Sequence, residues 1–217
     1  MEAGLNDGYY LSRVPEIEVI FDEHSRAWAP FLIAKFGDDF SQEVIANARL
    51  RLSALIPGLP YIGGDENPMT RHLITSTTSL SLYLAMKAGD KTAEEVGEVI
   101  LLSVRESVAQ KQNLLSAEDL HKLRVHARLS QERRYQEDWL WEFVEGDGIE
   151  FDFGYDFYEC GTQKLFHRFG ADEFLPYHCR LDFITFRSAD WTFNRTMTIA
   201  AGDEKCDFRF KHGGSAG

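Results

Sequence analysis

The sequence pattern of the chain changes near Gln136, and this change limits the fold more than any other feature. Over residues 14–136, apolar residues recur every three or four positions among strong helix formers, which predicts helices. Residues 138–210 hold 12 of the 16 Phe, three of the four Trp and all three Cys. Segments there alternate aromatic with polar or small residues, the period of a β-strand. We therefore predict an α+β fold, with a helical N-terminal half followed by a small antiparallel sheet.

Five helices are predicted in the first half. The third, over residues 69–88, is rich in Ser and Thr, which is typical of a helix that packs closely on its neighbours or lines a polar pocket. The fourth is expected to reach about Gln110. Pro30 is expected to kink or split the first helix. The five segments begin near Pro15, Ser41, Met69, Thr92 and Ser116.

The second half predicts two β-hairpins with two short helices between them. The first hairpin joins residues 139–145 to 151–157 through a turn at 146–148, and the second joins 192–199 to 205–211. The helices are expected over 159–169 and 172–187, and Pro176 interrupts the second. Residues 1–136 and 137–212 are interpreted as two regions of one integrated domain, followed by a flexible tail at 213–217.

The charge balance argues against two classes of partner. The chain of 217 residues carries 23 Lys and Arg against 35 Asp and Glu, a net charge of −12 that repels phosphate backbones and anionic lipids. No run of 18 apolar residues is present, so no membrane span is predicted. We expect a cytoplasmic protein with reduced thiols and with neither a nucleic-acid nor a membrane partner. A homo-oligomer is left open.

Cys160 is the first candidate for chemistry. It stands where the second predicted strand gives way to a helix. Unpaired N–H groups at a helix start, together with the helix dipole, stabilise a thiolate. We therefore expect a lowered pKa and a reactive sulfur at Cys160. The adjacent Glu159 would raise that pKa unless it accepts a proton, which makes it a candidate for proton transfer.

The other two cysteines have acidic neighbours. Cys179 and Asp182 are three residues apart and so share one face of a helix, and a thiol beside a carboxylate suits a hydrolytic site or a metal. Cys206 lies in the last strand, next to Asp207. No cofactor is predicted, because the thiols lack Cys-x-x-Cys spacing, but a metal ion held by all three is left open. His178 is interpreted as a surface or hydrogen-bonded histidine, because adjacent helical side chains diverge.

Short motifs in the last third of the chain point to a known family. The most specific is the closing run Cys206-Asp207-Phe208-Arg209-Phe210-Lys211. The others lie at residues 144–148, 153–156, 159–160, 176–179 with 182, 195–198 and 202. With these motifs the chain resembles the L-2-amino-thiazoline-4-carboxylic acid hydrolase family. The resemblance implies hydrolytic opening of a cyclic amidine, 2-amino-thiazoline-4-carboxylate, toward carbamoyl-cysteine and finally cysteine.

Such a reaction needs a nucleophile and a proton carrier. Cys160 ranks first as the nucleophile and Cys179 second, and Glu159 or Asp182 would relay protons. Alternatively, a carboxylate activates water while the thiols, Cys206 included, are structural or hold a metal. The predicted catalytic set therefore contains the three cysteines and these two carboxylates.

The reaction also needs a cation for the substrate carboxylate. Arg195 and Arg209 are the candidate clamp, because guanidinium groups bind carboxylates in a bidentate manner. Tyr158 and Thr196 complete the predicted substrate-binding residues. The prediction is a hydrolase acting on carbon–nitrogen bonds other than peptide bonds, with a small anionic substrate. The alternative is a non-catalytic sensor module whose three cysteines bind a metal or a small ligand.

Overall fold

The first half of the protein is helical, as predicted. The computed structural model describes residues 8–108, 116–186 and 191–213. The predicted ends at Gln110 and Arg187, and the tail beyond Gly213, lie outside these residues. The described helices of the first half are α1 (Tyr9–Ser12), α2 (Val14–Phe36), α3 (Asp38–Leu55), α4 (Met69–Ala88), α5 (Ala93–Val108) and α6 (Ala117–Ser130).

Pro30 does not split the first long helix. It lies inside α2, which continues to Phe36. Proline removes one backbone hydrogen bond from a helix, and here the residue is exposed, so water can satisfy the carbonyl that loses its partner. The buried face of α2 carries Ile17, Phe21, Trp28 and Leu32, and burial of this face holds the helix together across the proline.

The Ser and Thr residues of α4 have two different roles. The hydroxyls of Thr77 and Ser81 donate to the carbonyls of Leu73 and Thr78 in the same helix, so they are satisfied within closely packed surroundings. Ser76 instead contacts Thr162 in the second half, with 3.1 Å between the two hydroxyl oxygens. Close packing therefore explains most of this polar run, and Ser76 is the member that faces the other half.

The second half contains the expected antiparallel sheet. Its strands are β1 (Leu140–Glu145), β2 (Phe153–Glu159), β3 (Trp191–Asn194) and β4 (Cys206–His212), in the order β1-β2-β4-β3. The predicted hairpins form as β1 with β2 and β3 with β4. β3 ends at Asn194, earlier than predicted, and residues 195–205 form a longer connection with a 3₁₀ turn at Ile199–Ala201. The fold class is confirmed as α+β.

The register of the sheet separates an apolar face from a charged face. Phe157 on β2 lies opposite Cys206 on β4, and Tyr155 lies opposite Phe208. Asp156 points to the other face, where it forms ion pairs with Lys205 and Arg209 at 2.6 and 2.8 Å. Because successive residues of a strand alternate between faces, Cys206 lies on the apolar side and Arg209 on the charged side.

Short helices connect β2 to β3. They are α7 (Gly161–Arg168), α8 (Leu175–Cys179) and α9 (Asp182–Thr185), with a 3₁₀ turn at Asp172–Phe174. The single helix predicted from residue 172 is thus wrong, since the segment forms several short pieces. Pro176 occupies the first turn of α8, where a missing N–H is tolerated, so proline starts a helix here and does not interrupt one.

One apolar core joins both halves. Its buried residues come from α2 to α5 and from the sheet and the helices that follow β2. At the seam, Tyr83 of α4 stacks on Phe174, with 4.8 Å between the ring centroids, and Phe174 stacks on Phe166 of α7. Helix α4 therefore runs between the helical half and the elements that carry the cysteines. None of the described helices combines the length and the apolar character needed to cross a membrane.

Candidate functional site

Cys160 lies at the start of α7, as predicted, and caps that helix. Its sulfur accepts the backbone N–H of Gln163, at 3.4 Å, and also hydrogen bonds from the backbone of Thr162 and the side chain of Trp139. These donors favour the thiolate. Burial outweighs them and raises the pKa of Cys160 above its usual value. The predicted lowering of this pKa is therefore wrong, because desolvation by the surrounding core is the larger effect.

Trp139 forms one wall around this sulfur. Its ring lies so close to Gly161 that a Cβ atom added there would meet the ring at 2.5 Å. The same ring makes an edge contact with the imidazole of His72, with 5.5 Å between the centroids. Trp139 is 4% exposed and therefore fixed in place. Only glycine at the first position of α7 lets the indole reach Cys160.

We expect Gly161→Ala to lower the free energy of unfolding by about 1–3 kcal/mol, because the new methyl group overlaps a buried ring that cannot move freely. Chemical denaturation followed by tryptophan fluorescence measures the change. Gly58→Ala is the matched control, since its added carbon would lie 3.6 Å from the ring of Phe169, an ordinary contact. An equal loss of stability in both variants would contradict the explanation.

Arg195 connects the segment that carries Cys179 and Asp182 to the sheet. Its guanidinium forms an ion pair with Asp182 and donates to the carbonyl oxygen of Cys179 at 2.9 Å. The side chain is 3% exposed and lies against the rings of Phe183 and Phe208. Burial raises the pKa of Asp182 to about 6, although Arg195 acts in the opposite direction. This carboxylate is therefore able to exchange a proton near neutral pH.

The three thiols lie close enough for their charges to interact. Burial raises the pKa of Cys179 well above its usual value. Repulsion from the nearby Cys160, Asp182 and Cys206 raises the pKa of this thiol further. Burial likewise raises the pKa of Cys206 to about 11, and its sulfur accepts the N–H of Ile199 at 3.2 Å. The structure therefore brings all three cysteines to one site, where each is protonated at neutral pH.

Two histidines lie beside this site. Ser76 on α4 contacts Nε2 of His178 at 3.5 Å, and the same hydroxyl contacts Thr162. Burial lowers the pKa of His178 to about 3, and its Nδ1 has no hydrogen-bond partner among the described residues. Of the two alternatives for His178, a surface or a hydrogen-bonded histidine, the structure shows the second, with the ring half-buried against Phe166.

His72 lies beside Trp139, whose ring it contacts. Desolvation by the surrounding protein lowers the pKa of this imidazole to about 4. His72 also lies close enough to His178 to lower the pKa of that second imidazole.

Glu159, the other predicted proton carrier, is bound by two cations. Its carboxylate is held by Lys164 and by Arg133, the latter at 2.7 Å. It lines a separate cleft of about 560 Å³, whose wall also includes Trp139. Hydrogen bonds from Lys164 lower the pKa of Glu159. The side chain is therefore not brought together with the thiols, although it neighbours Cys160 in sequence.

The remaining predicted substrate-binding residues lie on the charged face of the sheet. Tyr158 donates to Glu142 at 3.2 Å, and Thr196 donates from its hydroxyl to Asp207 at 2.6 Å. Arg209 is engaged by Asp156 on that face. Arg195 lies on the opposite, apolar side with Cys206, so the two arginines do not converge on one carboxylate.

The sequence analysis missed residues from α4, from the position just before β1 and from α7. His72 and Ser76 are four residues apart and therefore share one face of α4. This spacing of four residues, within a Ser- and Thr-rich helix, could have indicated that the two side chains belong to one polar site. Trp139 and Thr162 gave no signal, since their contacts with Cys160 depend on how the two halves pack.

Together, these elements define an α+β protein in which three thiols, a carboxylate and two imidazoles are grouped where its two halves meet. The model of the L-2-amino-thiazoline-4-carboxylic acid hydrolase family matches residues 71–210, well over half of the chain. The chain belongs to this family, whose name describes a hydrolase. No curated protein and no solved structure matches the chain. Within the described ranges, no three or more His, Cys, Asp or Glu side chains are grouped to hold a metal ion.

Proposed function

We propose that the protein hydrolyses the ring of 2-amino-thiazoline-4-carboxylate, or of a closely similar cyclic amidine acid, with Cys160 as the nucleophile. The observation that carries this proposal is the position of the Cys160 sulfur, at a helix start with backbone and indole N–H donors aimed at it. Asp182, whose pKa of about 6 suits proton exchange, acts on the same thiol. Membership of the family supports the reaction class.

The first half of the reaction opens the ring. Asp182 accepts the proton of Cys160, and the thiolate bonds to C2 of the thiazoline, the carbon between the two nitrogens and the sulfur. The bond from C2 to the ring sulfur breaks, and Asp182 returns the proton to that sulfur. The product of this step is an open-chain isothiourea attached to Cys160, with every atom of the substrate retained.

The second half releases the product. Water adds to the isothiourea carbon and the bond to Cys160 breaks, which regenerates the thiol and yields N-carbamoyl-cysteine. One water molecule is consumed overall. In this scheme the bond of the thiazoline that breaks is C2–S. Hydrolysis of a carbon–nitrogen bond, the reaction class predicted from the sequence, stays a prediction for cyclic amidines whose rings lack sulfur.

Arg195 is proposed to act as a positioning residue and as the source of positive charge. It holds Asp182 beside the thiols. When Asp182 takes the proton of Cys160, the negative charge moves to the sulfur, so the net charge of the site is unchanged. The guanidinium of Arg195 stays beside the thiols and is the proposed partner of the substrate carboxylate.

The test is to incubate the purified protein with 2-amino-thiazoline-4-carboxylate, measure release of the new thiol and record intact protein mass during turnover. We expect turnover, together with a transient mass increase equal to one whole substrate molecule on the peptide that contains Cys160. Turnover that survives selective alkylation of Cys160 would instead favour a carboxylate-activated water. No turnover of any cyclic amidine, with about one metal ion per chain blocking the thiols, would favour the sensor module.

A further inference from the structure

We propose that the cleft of about 560 Å³ whose wall includes Trp139 and Glu159 is a second binding site, which takes a small organic cation such as a protonated amine, amidine or guanidine. The proposal goes beyond the proposed function and does not depend on it. None of the three cysteines, which all lie in described ranges, lines this cleft. The wall is formed mainly by the loop before α4, the end of α6 and the residues around the start of β1.

The size and the wall of the cleft suit a small organic molecule. Binding sites for small molecules typically have volumes of about 300–1,000 Å³ and walls that are mostly apolar and aromatic. The aromatic side chains of Tyr135, Trp139 and Trp141 contribute to this wall, together with the apolar Met69 and Leu129. Indole and phenol rings attract cations through the negative faces of their π-systems. The wall therefore favours a ligand that carries a positive charge on an apolar frame.

The basic side chains of the wall are already neutralised. Arg133 forms an ion pair with Glu159 at 2.7 Å, and Arg134 forms one with Glu132 at 2.5 Å. Burial lowers the pKa of His126, so this imidazole is neutral at physiological pH. These three groups therefore add no uncompensated positive charge that would attract an anionic ligand into the cleft.

Two carboxylates of the wall, in contrast, have no cation of their own. Asp138 and Glu66 form no ion pair with any residue that the structure describes. Lys164 lies near Asp138, but its three N–H donors are taken by two backbone carbonyls and by Glu159. Burial raises the pKa of Asp138 in spite of the charge of Lys164. The wall therefore carries negative charge that a bound cation would compensate.

Asp138 is held in a fixed position and can still accept hydrogen bonds. One of its carboxylate oxygens accepts the backbone N–H of Trp139 at 2.8 Å, and the other accepts the side-chain amide of Asn67 at 2.7 Å. A carboxylate accepts about four hydrogen bonds, so about two positions remain for N–H donors of a ligand. Amines, amidines and guanidines supply such donors together with a positive charge. A metal ion fits less well, because the described side chains form no group of three or more suitable ligands.

The test is calorimetric titration of the purified protein with benzamidinium, with benzamide and benzoate as neutral and anionic ligands of similar shape. We expect benzamidinium to bind at least about tenfold more tightly than either, because it alone can pair with the carboxylates of the wall. Asp138→Asn should weaken benzamidinium binding at least about tenfold. Asp147→Asn is the matched control, since Asp147 also accepts backbone N–H groups but lies in the turn between β1 and β2, outside the cleft. Its affinity should equal that of the wild type.

Glu66→Lys tests the same charge at an exposed position, where a substitution leaves the fold intact even if Asp138→Asn does not fold. The new ammonium group should weaken benzamidinium binding at least about threefold, whereas Glu150→Lys, exposed and outside the cleft, should not. Equal affinities for benzamidinium and benzamide would overturn the proposal. So would unchanged binding in Glu66→Lys and in folded Asp138→Asn, or tighter binding of benzoate, which would show that Arg133 attracts an anion.

Discussion

Replacement of Cys160 by alanine is expected to lower kcat for 2-amino-thiazoline-4-carboxylate by at least about a thousandfold, because the attacking atom is lost. The fold should persist, since the helix start retains Gly161 and its contact with Trp139. Steady-state release of the product thiol measures the loss. Intact mass spectrometry should show no adduct in this variant, even after long incubation with substrate.

Cys206→Ala is the matched control for this experiment. Cys206 is buried in β4, and its sulfur accepts the N–H of Ile199, so its removal perturbs packing without removing the nucleophile. We expect a loss of activity below about tenfold. Retained activity in Cys160→Ala, with activity abolished in Cys179→Ala, would reassign the nucleophile to Cys179, the second-ranked thiol.

Replacement of Arg195 by methionine should lower the free energy of unfolding by about 3–5 kcal/mol at alkaline pH, because it leaves the carboxylate of Asp182 buried without its cation. Asp182 already has a folded-state pKa near 6, above its value in the unfolded chain. Loss of Arg195 raises it further, so the folded state binds the proton more tightly and stability falls as pH rises through this range. Urea denaturation at pH 5 and pH 8 should show the larger loss at pH 8.

Arg209→Met is the control for burial of an ion pair elsewhere in the sheet. Its partner Asp156 keeps a second cation, Lys205, at 2.6 Å, so the expected loss is only about 1–2 kcal/mol. Combining Arg195→Met with Asp182→Leu should recover most of the stability, because no charge then remains unpaired. Equal losses for the two arginines, or no recovery in the double variant, would contradict this account of Arg195.

The helices of the first half could be predicted closely because their signals are local. The bounds of α4 agree with the predicted segment, and α6 starts at Ser116 as predicted, where a capping box with Asp119 forms. Both signals depend on residues three or four positions apart. The effects of Pro30 and Pro176 were harder to predict. A proline is tolerated on the exposed side of a helix or in its first turn, and local sequence shows neither the exposed side nor the exact helix start.

The site could be predicted only as a set of separate candidates. The sequence identified Cys160, Cys179, Cys206, Asp182 and Arg195, but spacing alone could not show that they meet. It also grouped Glu159 with Cys160, whereas Glu159 is bound by Lys164 and Arg133 and lines a cleft whose wall does not include Cys160. Neighbours at the end of a strand point in different directions, so adjacency in sequence was misleading here.

The sequence by itself determined the α+β class, the two hairpins, the family and the helix start at Cys160, because periodicity, turns and motifs are properties of short segments. The tertiary structure alone decided the protonation of the site. A helix start lowers the pKa of a thiol, and only the packing of α4 and Trp139 around Cys160 makes desolvation the larger effect. Desolvation depends on atoms distant in sequence, and for this reason the raised pKa of Cys160 became visible only in the folded chain.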